Sequence, residues 1–325
     1  MKALLKKIAT KARRFLVAEH KQKLETLLLL QGKQLSSEHT KLIQSLRLNN
    51  GLINNGLING GGDKHLSIES TEFKIFSQNG EDGIIDFLIQ ALDLSAYPKA
   101  FIEFGVENYT ESNTRFLLQH RNFMGLVLDG SQQHIDYIRN DDLYWRYDLE
   151  AKCVFITKDN INALISTYLQ SRDLENVALL SIDIDGNDYY IWESITCIQP
   201  AIVLIEYNAL FGAKDRVSVP YRADFNRFKA HFSGLYFGAS IAALIALGEA
   251  KGYSFVGADS CGVNLFFVKK ALCADWLWFL DTYKDLEEYC TRHKARQSRD
   301  DSKKLTFLSH TKRQEAIAHL PLTKL

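Results

Sequence analysis

The chain has 325 residues, 46% of them hydrophobic, with 39 Lys and Arg against 39 Asp and Glu. That length and apolar share give a globular protein with a substantial core, and the balanced charge excludes a global field that would recruit nucleic acid. Five cysteines, odd in number, widely spaced and without a C-x-x-C pair, exclude a disulfide framework or a zinc knuckle and point to a reducing, cytoplasmic setting. The longest leucine run, 27–30, is far too short to cross a bilayer.

Residues 2–48 read as a helix, with Leu4, Leu5, Ile8, Ala12, Phe15 and Leu16 at spacings of three and four. Six basic residues precede its first acid, Glu19. Such a helix suits packing on its own domain, packing on a second copy in a homo-oligomer, or resting through residues 1–30 on the inner membrane surface as a peripheral contact. Residues 49–62 repeat Asn-Asn-Gly-Leu-Ile and end in three glycines, so 49–72 reads as a flexible linker into a domain over 73–270. That domain opens on Ser77-Gln78-Asn79-Gly80-Glu81-Asp82-Gly83, a polar turn that caps a helix and can fold over the open end of a sheet.

The stretch 101–113, FIEFGVENYTESN, joins a short apolar strand to a carboxylate, a glycine and a helix over 111–120. In an open α/β sheet ligands bind beyond the carboxyl ends of the strands, which places Glu103 and Gly105 at that rim. A dinucleotide fingerprint needs glycines where Glu107 and Thr110 stand, and a pyrophosphate would meet carboxylate in place of bare N–H groups. An acidic turn suits S-adenosylmethionine, which has no phosphates and carries a sulfonium and an ammonium. The second strand, 123–128, ends at Asp129, 24 residues beyond the glycine, where an acid can accept the ribose hydroxyls. A third strand over 153–157 and a helix over 161–169 follow.

The strand 177–184 runs into Asp183-Ile184-Asp185-Gly186-Asn187-Asp188. Asp183 and Asp185 share one side of it, and buried like charges are costly without a cation or a shared proton. The fifth strand, 201–205, ends in Glu206-Tyr207-Asn208. Asp183, Asp185, Glu206 and Asn208 together offer hard oxygen ligands for Mg²⁺ or another divalent cation. The competing assignment gives Asp183 to the donor's ammonium and Asp185 to a helix cap, with Asp185 or Asp188 as general base. No histidine falls in these rim blocks. Residues 211–237 are too long for a crossover loop and read as a lid or acceptor-binding segment. Ser240 caps a helix through Leu247, and strands 254–258 and 264–269 close an antiparallel hairpin. The tail carries an apolar face in Trp276, Trp278, Phe279, Leu280 and Tyr283, followed by a charged stretch, and reads as a helical extension over 271–325.

Five strands alternating with helices and then a hairpin make a doubly wound, mostly parallel seven-stranded α/β sheet with a reversed final strand, the Rossmann-like sheet of class I methyltransferases. The blocks SQNGEDG (77–83), FIEFGVENYTESN (101–113), LDGS (128–131), SIDIDGNDYYIW (181–192), IEYN (205–208) and GAS…GYSFV…NLFFV (238–268) resemble the FkbM-like S-adenosylmethionine-dependent methyltransferases. The resemblance implies that Glu103, Gly105, Asp129 and Asp183 line the donor pocket, with Ser77 and Gln78 near its methionine end. It also implies an acceptor among sugars, lipids or natural products, many such enzymes belonging to cell-surface glycan pathways, and the chain reads as an O-methyltransferase of a small-molecule or sugar hydroxyl. Glu107 and Asn108 depart from it, standing where many donor-binding loops carry a second glycine. A catalytically silent scaffold would have no need to retain the ring of carboxylates, and the missing glycines disfavour an NAD-dependent oxidoreductase.

Overall fold

The computed structural model describes residues 2–54, 66–273, 285–292, 294 and 297–325, with side chains in the first helix described over 19–48. The first helix, α1 (Lys2–Asn54), continues six residues past the expected boundary into the stretch read as linker. Beyond residues 55–65, which lie outside the described residues, Ile68–Thr71 forms a 3₁₀ turn with Ile68 and Thr71 buried, so the chain is already packed before residue 72. The Gly-rich tract separates α1 from the domain in sequence, not in packing. Ser36 and His39 of α1 bond the buried carboxylate of Asp86 on α2 (Glu81–Ala91), and Arg121 of α3 (Arg115–Arg121) meets the same group at 2.9 Å. The basic side chains of residues 2–14 lie outside the described residues.

The central sheet follows the expected pattern. β1 (Ala100–Phe104) is buried along its whole length, as a strand covered on both faces must be. With β2 (Met124–Asp129), β3 (Leu149–Cys153), β4 (Leu179–Ile182) and β5 (Ile202–Glu206) it forms a parallel set. A short strand, β6 (Val217–Ser218), lies outside this sheet, and β7 (Tyr253–Ala258) and β8 (Asn264–Lys269) complete it in the order β3-β2-β1-β4-β5-β8-β7. β8 runs antiparallel to both neighbours, so its first residue, Asn264, pairs with the last of β5, Glu206, at the carboxyl rim. Successive side chains alternate faces. Phe101 and Val127 pack with α2, α3 and α4 (Gln132–Asn140), whereas Ile102 and Leu126 pack with α6 (Ile161–Ser171), α7 (Asp188–Ser194) and α9 (Ile241–Ala250). A short helix, α5 (Asp142–Arg146), precedes β3.

Two boundaries differ from the sequence reading for identifiable reasons. β3 lies at 149–153 and not at 153–157: it is an edge strand whose buried Leu149 and Ala151 alternate with wetter Glu150 and Lys152, so its apolar signal is half that of the loop Val154-Phe155-Ile156. The helix expected over 111–120 begins at Arg115, because Glu103 takes the hydrogen bonds of Ser112, Asn113 and Thr114 and holds them in a turn.

The C-terminal segment is not wholly helical. It contains α10 (Leu286–Thr291), a hairpin of β9 (Gln297–Arg299) and β10 (Leu305–Phe307), α11 (His310–Ile317), and β11 (Thr323–Lys324) paired with β6. The aromatic face at 276–283 lies outside the described residues. The insertion 211–237 packs as a small core of its own, in which Val219, Phe225, Tyr236 and Phe237 meet Ile317 of α11, and it includes α8 (Arg227–Ala230). Among the described residues no helix is long and apolar enough to cross a membrane.

Candidate functional site

A cavity of about 730 Å³ opens at the carboxyl ends of β1, β2, β4 and β5. Of the residues singled out in the sequence, Gln78, Glu103, Gly105, Asp129, Asp183, Asp185 and Glu206 line it; Ser77, Asp188 and Asn208 do not.

Glu103, the penultimate residue of β1, is almost fully buried. Its carboxylate accepts from Ser112 Oγ (2.7 Å) and from the backbone N–H groups of Asn113 (2.9 Å) and Thr114 (3.2 Å), so it shapes the loop that walls the cavity. Burial pushes its pKa up, against those hydrogen bonds. Gly105 has φ +73°, and a Cβ there would come within 1.6 Å of the Asp183 carbonyl oxygen. Its lack of a side chain therefore lets the β1 loop close on the end of β4.

Asp129 ends β2. Its Oδ2 accepts from Glu107 N–H (2.9 Å), and its Oδ1 accepts from Ser131 N–H (2.7 Å) with His134 Nδ1 at 3.1 Å. Glu107, at φ +47°, thus turns its N–H onto Asp129 in place of the absent second glycine. A carboxylate offers about four acceptor positions, so one remains open, and a second opens if the partly exposed His134 ring swings away. Beside it Leu128, Val154, Phe155 and Ile156 form an apolar wall, with Phe155 54% exposed.

The acidic end is built by β4, β5 and the loop after β4. Asp185, at φ +57°, pairs with Arg227 of α8. The Arg227 guanidinium lies 4.5 Å from the Phe237 ring centroid, and its Nε donates to Gly234 O at 3.0 Å. Asp188, at the start of α7, accepts from Ile184 N–H (2.8 Å) and Gly186 N–H (2.9 Å) and is fully buried, which removes it from reach of an acceptor in the cavity as a general base. Its pKa is raised to about 6, by burial first and by Asp185 after the opposing hydrogen bonds. Asp183 and Glu206 are both pushed well above the carboxylate range, by burial first and then by neighbouring acids.

Two candidates are turned to structural work. Asn208, expected as an oxygen ligand, caps a 3₁₀ turn by accepting Leu210 N–H and donates its amide hydrogens to Leu235 O and Phe237 O, both at 2.9 Å. Ser77, expected at the donor's methionine end, is fully buried against Asp82, whose carboxylate also gathers the N–H groups of Ile75, Phe76 and Ser77.

The cavity also takes residues that sequence reasoning missed. Glu81 accepts from Asn79 and Gly80 N–H and from Asn264 Nδ2 at 2.9 Å, so α2 and β8 meet at the rim. The pairing of Asn264 with Glu206 follows from hairpin register and was within reach. His134, one of the histidines nearest the rim blocks whose placement spacing alone does not fix, stands one turn into the helix after Asp129 and reaches the wall. Arg227 and Gln297 come from segments with no spacing rule, and nothing in the sequence marks them.

No family model and no curated protein matches the chain. Solved structures similar to it include an S-adenosylmethionine-dependent methyltransferase from Clostridium acetobutylicum ATCC 824, at 10% identity and TM-score 0.37 over 58% of this chain and 90% of that one. An O-methyltransferase from Bacillus cereus in complex with SAH aligns at 12% identity and TM-score 0.35, over 73% of this chain and 91% of that one. The N-terminal domain of EvdMO1 with SAH bound aligns at 9% identity and TM-score 0.34, over 52% and 73%. Scores this low carry no argument about activity, and the sheet order stands without them.

Proposed function

We propose that the chain is an S-adenosylmethionine-dependent methyltransferase of the FkbM-like kind, acting on a hydroxyl of a small molecule or glycan. One observation carries the reading: the cavity at the carboxyl rim has a carboxylate at the tip of β2, beside an apolar wall, Glu107 in the β1 loop where a phosphate-binding loop would carry glycine, and an acidic end at β4 and β5. The residues fit the donor by chemistry. Asp129 would accept from the ribose, Leu128, Val154, Phe155 and Ile156 would cover the adenine, and the carboxylates at the ends of β4 and β5 favour a cationic sulfonium and ammonium over a diphosphate. When bound, the donor supplies an electrophilic methyl group. The chain's own part is to hold donor and acceptor in line and to exclude water, for which α8 and Gln297 at the wall are suitably placed.

Calorimetric titration with S-adenosylhomocysteine, and separately with NAD, tests the reading. Binding of the first with no heat from the second is expected. Binding of NAD alone would replace methyl transfer by hydride transfer.

A further inference from the structure

The four carboxylates at the ends of β4 and β5 are not equivalent. Arg227 is drawn to Asp185, which matches one of them. Asp183, Asp188 and Glu206 remain, and an oxygen from each lies within 4.8 Å of the others. Oxygens on opposite sides of a hard divalent cation, with bonds of about 2.1 to 2.4 Å, are separated by about that distance or less. Besides the clustering, two buried acceptor atoms there have no hydrogen-bond partner, one on Glu206 and one on the neighbouring Asn187. Glu206 is 8% exposed and its Oε2 meets no hydrogen-bond donor. Asn187 is 4% exposed, donates its amide to Arg222 O at 2.8 Å, and leaves its amide oxygen without a donor. Both residues belong to the wall of the same cavity. Buried acceptors without donors are costly, and a cation relieves several at once.

We propose that Asp183, Asp188 and Glu206 hold one hard divalent cation of the Mg²⁺ or Mn²⁺ class at the floor of the cavity, with the Asn187 amide oxygen facing it. This set differs from the one read from the sequence, because Asp185 is taken by Arg227 and Asn208 by Leu235 and Phe237. An all-oxygen set with no sulfur or imidazole disfavours zinc. Asp188 keeps a lone pair on each oxygen beyond its backbone bonds, so its place at the start of α7 fixes a ligand and does not consume it. Facing the cavity, the cation would take an acceptor oxygen and lower its pKa. That role rests on the proposed methyl transfer, whereas the binding itself does not.

The test uses the full chain after exhaustive dialysis against chelator, titrated with Mn²⁺ and followed by the paramagnetic resonance of free Mn²⁺. One Mn²⁺ per chain, displaced by Mg²⁺ and weakened at least tenfold in Glu206→Gln and in Asp183→Asn, is expected; thermal unfolding identifies which variants are folded. No Mn²⁺ bound by the wild-type chain at millimolar concentration overturns the proposal, whatever the variants do. Unchanged binding in a folded variant also overturns it. S-adenosylhomocysteine binding to the chelated protein is measured in parallel, so a failed cation site and a failed donor site are distinguished.

Discussion

Asp129 has two tasks that one substitution separates. It anchors the Glu107 and Ser131 amides, and it faces the cavity beside Phe155. Asp129→Asn keeps one acceptor oxygen for the loop but removes the charge, so the fold should persist while S-adenosylhomocysteine binding weakens by roughly 1.5 to 3 kcal/mol, the range for hydrogen bonds to a charged group. Calorimetry checks the affinity and circular dichroism the fold; unchanged affinity in a folded variant removes the ribose role. Single residues were legible in type more than in direction. Gly105 stands at the cavity wall, and its φ of +73° and the nearby Asp183 carbonyl both require glycine there. Ser77 and Asn208 have the right chemistry in the right blocks, yet their side chains point into the protein, and no residue-spacing rule reports which way a loop side chain turns.

At the scale of elements, the attachment of α1 is the feature that sequence left most open. Its helical period was visible, but not the face it buries. Gly32 sits where a Cβ would meet the Phe116 ring at 2.4 Å, so α1 approaches α3 more closely than a side chain would allow. The buried Asp86 carboxylate holds the contact through Ser36, His39 and Arg121. Burial pushes its pKa up, but the bond from His39 and the Arg121 charge outweigh this and leave it below the ordinary carboxylate value. Its unfolded pKa being the higher, the stability it contributes is fully present above about pH 4 and lost as pH falls through the lower folded value. Removing one partner of a buried pair costs about 3–5 kcal/mol. Urea unfolding at neutral pH should therefore show Asp86→Ala less stable by about that amount. A pH series should show the wild type losing stability below pH 4 in a component that the variant lacks, and parallel curves would contradict the pairing.

At the scale of the molecule, the sheet was legible because its central strands are continuous apolar runs ending in acids or glycine, and because a turn as short as 259–262 forces β8 to reverse. The same reversal sets Asn264 opposite Glu206 and completes the rim. The C-terminal segment was not legible. Its strands β9 to β11 are two or three residues long, and β11 finds its partner β6 far back in the chain, a pairing that local periodicity cannot express. Through them Gln297 reaches the cavity and α11 braces the insertion that carries Arg227. The site is thus assembled from the sheet rim, the insertion and the tail together.

The central claim, that the carboxyl-rim cavity receives the methyl donor, is tested most directly by amide hydrogen exchange with and without S-adenosylhomocysteine. The account predicts slowed exchange concentrated in residues 104–109, 128–134 and 153–157, which wall the cavity around Asp129, with little change in α1. Binding that leaves those segments unprotected, or protects a surface elsewhere, would contradict it.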